Sequence, residues 1–267
     1  MGKGHFAHVA FAHSLDDALP ARRVAVMSDL PPTPPFPPRL AGVLNVDKPA
    51  GLSSARVVGQ VKRLLPKGTK IGHAGTLDPF ATGVLLLLVG KATKSCEQLM
   101  GQRKGYEATI QFGATTATDD LESPSLPFPG ATERGPMLTI QQLRSAAEKL
   151  VGEIEQTPPV YSALKLGGRP AYELARKGLH VETKPRRVTI YSLDVLDFVW
   201  PIARINVECG RGTYIRSIAR DLGAMLEVGG YLTQLRRTFV GDFHVKDAVT
   251  VEQLIAKGVE SNLRQVG

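Results

Sequence analysis

Cysteine is scarce in this 267-residue chain: Cys96 and Cys209 stand alone and far apart. That scarcity excludes a disulfide framework and a thiolate zinc site, and it fits a reducing, cytoplasmic setting. Long hydrophobic runs are missing too. The longest, Val84 to Val89, has the length of a buried strand and is far too short to cross a bilayer. No basic start followed by an apolar stretch opens the chain, so no secretory signal and no membrane association are expected. Acidic residues are in deficit, 25 against 33 basic ones, which leaves a net charge of +8 and a pI near 9.6. Such a surplus points to a polyanionic partner, and nucleic acid is the commonest. Hydrophobic content of 43% and charged content of 22% are ordinary, so the chain can bury a sizeable core.

Residues 1–40 differ from the rest. They hold His5, His8 and His13 and the tract from Pro31 to Pro38. Proline there forbids a helix or a central strand, and a disordered leader is expected over 1–40. Order begins near Leu40, with a short strand Gly42–Val46. Ser53 or Ser54 can cap a helix whose apolar face is Val57, Val58, Val61, Leu64 and Leu65. A glycine-rich loop from Gly72 to Gly83 leads into the Val84–Val89 strand, and Tyr106–Phe112 alternates as a second strand. Residues 113–138 read as loop. Thr139 with Gln142 makes a capping box, for a helix that stops at Gly152. Residues 157–187 are loop-rich, with a short helix near Tyr172–Lys177. Strands follow at Val188–Phe198, Ile202–Cys209 and Leu232–Val240, with a helix at about Tyr214 to Leu226. Strands and helices mix without regular β-α-β alternation. The expected fold is therefore α+β, with a mostly antiparallel central sheet flanked by helices.

Three segments stand out chemically. Between Gly72 and Gly83 lie three glycines, a proline and Asp78, a tight loop just before a buried strand. Asp78 fits two readings, a turn opener before Pro79 or a catalytic carboxylate held by a rigid scaffold. The second segment runs from Gly210 to Arg220. Arg216 sits beside the core-facing Ile215 and Ile218, and a half-buried arginine normally needs an anionic partner. The third runs from Lys165 to Arg187, where seven cations face only Glu173 and Glu182. It fits either a solvated face or a loop that wraps a phosphate backbone, with Tyr161 and Tyr172 interleaved.

Together these segments are recognisable. The chain resembles the TruB family of bacterial tRNA pseudouridine-55 synthases. The resemblance rests on Gly42–Pro49 with Gly51, Ser53 and Ser54, on Gly72–Pro79 with Ala81–Gly83, on Lys104–Tyr106, on Pro158–Lys165 with Gly168, and on Gly212–Arg216 with Asp221–Gly223. It implies a pseudouridine synthase fold over 41–257, with an RNA-gripping insertion at about 157–187. It implies Asp78 as the nucleophile, Arg216 as its partner and Tyr106 as the aromatic that stacks on the target base. His73, Tyr214, Leu235, Lys48 and Pro49 match substrate-site positions. Lys165, Arg169, Arg176, Lys177, Arg186 and Arg187 are the expected RNA contacts. The expected partner is the tRNA T-stem-loop, bound by a monomer. Covalent catalysis by a carboxylate needs no metal or cofactor, and none is expected. Residues 258–267 are expected as a tail, without the small C-terminal RNA-binding domain many members carry. A non-catalytic RNA chaperone would leave Asp78, Tyr106 and Arg216 unused. A small-molecule hydrolase would leave the basic stretch unused.

Overall fold

The computed structural model describes residues 40–162, 164–166, 168–179 and 181–265. The leader expected over 1–40 falls, residue 40 apart, outside them. In chain order the strands are β1 (Gly42–Lys48), β2 (Ile71–His73), β3 (Thr82–Val89), β4 (Lys104–Phe112), β5 (Ala114–Thr116), β6 (Ser125–Pro127), β7 (Gly152–Gln156), β8 (Lys165–Leu166), β9 (Arg169–Pro170), β10 (Arg186–Val199), β11 (Ile202–Cys209), β12 (Gly230–Val240) and β13 (Phe243–His244). The helices are α1 (Ser54–Lys62), α2 (Cys96–Gly101), α3 (Ala131–Arg134), α4 (Ile140–Glu148), α5 (Ala171–Arg176), α6 (Ile215–Met225) and α7 (Val251–Lys257).

Among the described residues one nine-stranded sheet organises the fold, in the order β1-β3-β12-β4-β11-β10-β7, with β2 on β3 and β13 on β12. Every pairing in it is antiparallel except β3 with β12, which run parallel through Arg236↔Thr82 and Arg237↔Gly83. The fold is thus α+β with a mostly antiparallel sheet. Strand β3 explains its own composition. Leu85, Leu87 and Val89 face the larger core, while Val84, Leu86 and Leu88 face a smaller one. A strand buried on both faces reads as an unbroken apolar run rather than an alternation. The larger core collects the apolar faces of α1, α4, α6 and α7 through Val57, Leu143, Ile218 and Leu254. No helix among the described residues is long and apolar enough to cross a membrane.

Several elements differ from the sequence reading. The stretch 113–138 is not plain loop: it holds the β5–β6 hairpin and α3, and it buries Thr116, Thr118 and Asp120. The helix capped by Thr139 ends at Glu148, and Gly152 opens β7, which pairs with Arg186–Ile190 of β10. Gly152 takes φ +106°, a conformation other residues resist, so the chain turns there from helix to strand. The glycine-rich loop begins later than expected, because Ile71–His73 pairs with Leu87–Val89. Residues 258–265 do not hang free as a tail. Arg264 exchanges backbone hydrogen bonds with Val43 at 2.8 and 2.9 Å and closes the outer edge of β1.

Candidate active site

The Asp78 loop is clamped from three sides. The Ser54 hydroxyl donates to the Leu77 carbonyl at 2.9 Å and accepts from the Leu77 N–H at 2.8 Å. The buried Lys48 ammonium donates to the carbonyls of Pro49, Leu52 and Pro79 at 2.8, 2.6 and 3.1 Å. Burial lowers its pKa from 10.5 to about 8, with Asp78 pulling it back up. From the sheet side, Arg237 donates to Val84 at 2.7 Å, to Gly75 at 3.1 Å and to Thr76 at 3.5 Å, all carbonyls. Gly83 is required where this clamp passes. A Cβ there would lie 2.2 Å from the Arg237 carbonyl oxygen, and its φ is +98°. The backbone of Asp78 does open a turn, since its carbonyl accepts from Ala81 N–H at 3.1 Å. Its carboxylate is left to face inward.

Arg216, on the first turn of α6, meets that carboxylate. Its Nη2 donates to Asp78 Oδ1 at 3.3 Å, and its Nε lies 3.0 Å from Oδ2. The Arg216 side chain is 5% exposed, so it needs more than one partner. It has them: Asp120 Oδ2 at 3.2 Å, the Thr118 carbonyl at 2.8 Å and the Tyr161 carbonyl at 2.9 Å. Asp120 is oriented in turn by the Thr118 hydroxyl at 2.6 Å and the Glu122 N–H at 2.9 Å. Burial pushes the Asp78 carboxyl above its ordinary 3.8, Arg216 pulls it down, Asp120 pushes it up and Lys48 pulls it down, with a net upward shift. The Asp78 side chain is 32% exposed, and Arg216 limits the cost of this half-buried charge without reversing it.

Asp78 and Arg216 stand between two cavities. One, of about 740 Å³, is also lined by Tyr106, Tyr214, Leu235, Lys104, Arg186 and Arg237. The other, of about 720 Å³, is lined by His73, Ser53, Ser54, Thr118, Asp120 and Tyr161. Burial, then Arg237, lowers the His73 pKa from 6.5, which favours the neutral ring. Tyr214 caps α6 with its backbone. Its N–H donates to Gln156 Oε1 at 2.8 Å, and its carbonyl accepts from Gln156 Nε2 at 3.1 Å.

The structure thus brings Asp78, Arg216, Tyr106, Tyr214 and Leu235 around one space and puts His73 across the loop. Lys48 and Pro49 sit beneath the loop and line neither cavity. Of the basic stretch, Arg186 reaches the first cavity, Arg187 and Lys177 are exposed, and Lys165, Arg169 and Arg176 belong to β8, β9 and α5. Sequence reasoning missed Asp120, Gln156 and Arg237. Asp119-Asp120 carries no local pattern beyond two acids in a loop. Arg237 had a partial signal, because neighbouring residues on a strand alternate faces and one of Arg236 and Arg237 must turn inward.

Comparisons with known proteins show the family of the chain. A family model described as the TruB family pseudouridylate synthase N-terminal domain matches residues 62–215, and one for the tRNA pseudouridylate synthase B C-terminal domain matches 216–266. The second match covers α6, β12 and the segment that closes β1. A tRNA pseudouridine synthase B of Aromatoleum aromaticum is 47% identical over 223 residues, covering 83% of this chain and 70% of that protein. The protein of the same name in Cupriavidus metallidurans is 46% identical over 232 residues, 84% of this chain and 72% of its own. Among solved structures, a chain of an H/ACA ribonucleoprotein bound to a substrate RNA containing 2′-deoxyuridine superposes with a TM-score of 0.58 at 27% identity, over 80% of this chain and 52% of that one. A chain of a Cbf5-Nop10-Gar1 complex gives a TM-score of 0.60 at 28% identity, over 83% and 57%. This chain thus spans little more than half the length of those two structural relatives. On the two family models and the identity to these relatives, the chain belongs to the TruB family of pseudouridylate synthases and is a tRNA-modifying enzyme of that class.

Proposed function

We propose that this enzyme isomerises the uridine at position 55 of the tRNA T-loop, with Asp78 as its nucleophile. The carrying observation is the Asp78 carboxylate, held by Arg216 where a cavity lined by Tyr106, Tyr214 and Leu235 meets one lined by His73. The reactive atoms of a stacked uridine are hidden, so the nucleotide must first leave the stack. Tyr106 gives the flipped base an aromatic platform, and His73 fills the space it leaves. Asp78 then attacks C6 of the base or C1′ of the ribose. The N1–C1′ bond breaks, the base turns, and C5 bonds to C1′. The C5 proton departs, N1 gains one, and the Asp78 ester breaks to restore the carboxylate. No atom is gained or lost overall and nothing is oxidised, which is why side chains suffice. Lys165, Arg169, Arg176, Lys177, Arg186 and Arg187 grip the phosphates of the T-stem-loop.

The test is T-stem-loop RNA incubated with wild type and with Asp78→Asn, followed by quantification of pseudouridine at position 55. Wild type converts that uridine and Asp78→Asn does not. Equal product from the two proteins, or product only at another position, would reject the reading.

A further inference from the structure

We infer that Arg220 and Asp119 form a positioning pair that holds the Asp120 turn and the base of the 157–187 insertion in register with Asp78. The inference rests on the roles of Asp78 and Arg216 proposed above.

Arg220 follows Arg216 by four residues on α6, so both project from one face, a turn apart. Each bridges the same two segments. Arg216 takes Asp120 and the Thr118 carbonyl from one, and the Tyr161 carbonyl from the other. Arg220 takes Asp119 Oδ2 at 3.0 Å from the first and the Thr157 carbonyl at 2.8 Å from the second. Its remaining contacts, Nε and Nη2 to Asp221 Oδ1 at 3.1 and 3.0 Å, fix the guanidinium plane from its own helix. The neighbouring Ser217 hydroxyl also donates to the Thr157 carbonyl at 2.8 Å. The start of α6 thus staples together three chain segments that meet at Asp78.

Asp119 is where the staple is needed. It takes φ +58°, a left-handed conformation that costs a non-glycine residue and persists where its surroundings hold it. Its carboxylate, 13% exposed and paired with an Arg220 that is 29% exposed, is shielded enough to matter more than a surface ion pair. The strained residue directly precedes Asp120, so a relaxed turn would swing the Asp120 carboxylate off Arg216 and free Arg216 to tilt away from Asp78. Arg220 acts through these groups and touches no reacting atom. The same arginine grips the base of the insertion, so RNA held there bears on the alignment of Arg216.

The experiment compares Arg220→Ala, Asp119→Ala, the double variant and Asp119→Asn with wild type on T-stem-loop RNA. It measures the single-turnover rate at saturating RNA, Kd, and the salt dependence of Kd. A small misplacement far from the chemistry costs orders of magnitude in rate, so each alanine variant should lose about tenfold. The double variant should lose no more than the worse single one, since coupled partners are non-additive. Kd should stay within about twofold. Asp119→Asn keeps an oxygen for Arg220 and tolerates the left-handed turn, so it should recover most of the rate. Should the alanine variants unfold, Arg220→Lys, which keeps a cation but cannot bridge both segments, takes their place. Unchanged rates, or losses that multiply in the double variant, would overturn the inference. So would a change confined to Kd with a salt slope shallower by about 1, because that marks a phosphate contact. An active Asp78→Asn enzyme would instead reject the parent reading, whatever the pair does.

Discussion

Asp78 is a carboxylate whose environment disagrees about it. Burial and Asp120 favour the protonated form, Arg216 and Lys48 the ionised one, and the balance lies upward from 3.8. A folded pKa above the unfolded one means that the native state binds more protons between the two values. Stability therefore falls as pH rises through that window, and a constant penalty remains above it. Replacing Asp78 by Asn removes the charge and most of that penalty while Asp120 still partners Arg216. We expect Asp78→Asn to melt no lower than wild type at neutral pH in a thermal unfolding scan, despite being inactive. The same shift predicts that the single-turnover rate falls, as pH drops, at a pH above the ordinary carboxylate range. Arg216→Gln, which removes the largest downward influence, should move that acid limb higher still in a pH–rate profile. Asp78 was legible in its glycine-rich setting, both as a turn residue and as a candidate nucleophile. Asp120 was not, because a second acid on the same arginine exists only once a loop 96 residues upstream folds against α6.

Helix α6 owes its position to a strand that the sequence pattern concealed. Strand β7 spells Gly-Glu-Ile-Glu-Gln and sits just after a well-capped helix, so the helical periodicity masks it. Its last residue, Gln156, is 2% exposed and fixes Tyr214, the residue that starts α6, through both of its backbone groups. Gln156→Ala would remove both hydrogen bonds to the half-buried backbone of Tyr214, at about 0.5–1.5 kcal/mol each. Urea unfolding should show that loss as a lower midpoint with an unchanged slope. The apolar faces of α1 and α6 were legible, because i, i+3, i+4 spacing is a property of one helix. Where those helices dock depends on partners distant in sequence.

At the scale of the whole molecule, one sheet gathers residues from 48 to 237 around the Asp78 carboxylate, and Lys104, Arg186 and Arg237 line the cavity beside it. Arg186 lines the cavity beside Asp78 and the exposed Arg187 follows it on β10, and the proposed function makes both of them phosphate contacts. We expect the double variant Arg186→Gln, Arg187→Gln to flatten the slope of log Kd against log salt by about 2, roughly 1 for each lost phosphate contact. A slope equal to that of wild type would remove these arginines from the interface. The α+β class, six of the nine strands of the central sheet, the caps of α1 and α4 and the Asp78 loop followed from the sequence alone, because propensity, periodicity and capping act within a few residues. The parallel contact of β3 with β12, the β1 edge closed by Arg264, and the gathering of Asp78, Asp120, Arg216 and Arg220 did not. These are contacts across tens to hundreds of residues, and a local pattern carries no information about which distant partner a buried charge will find.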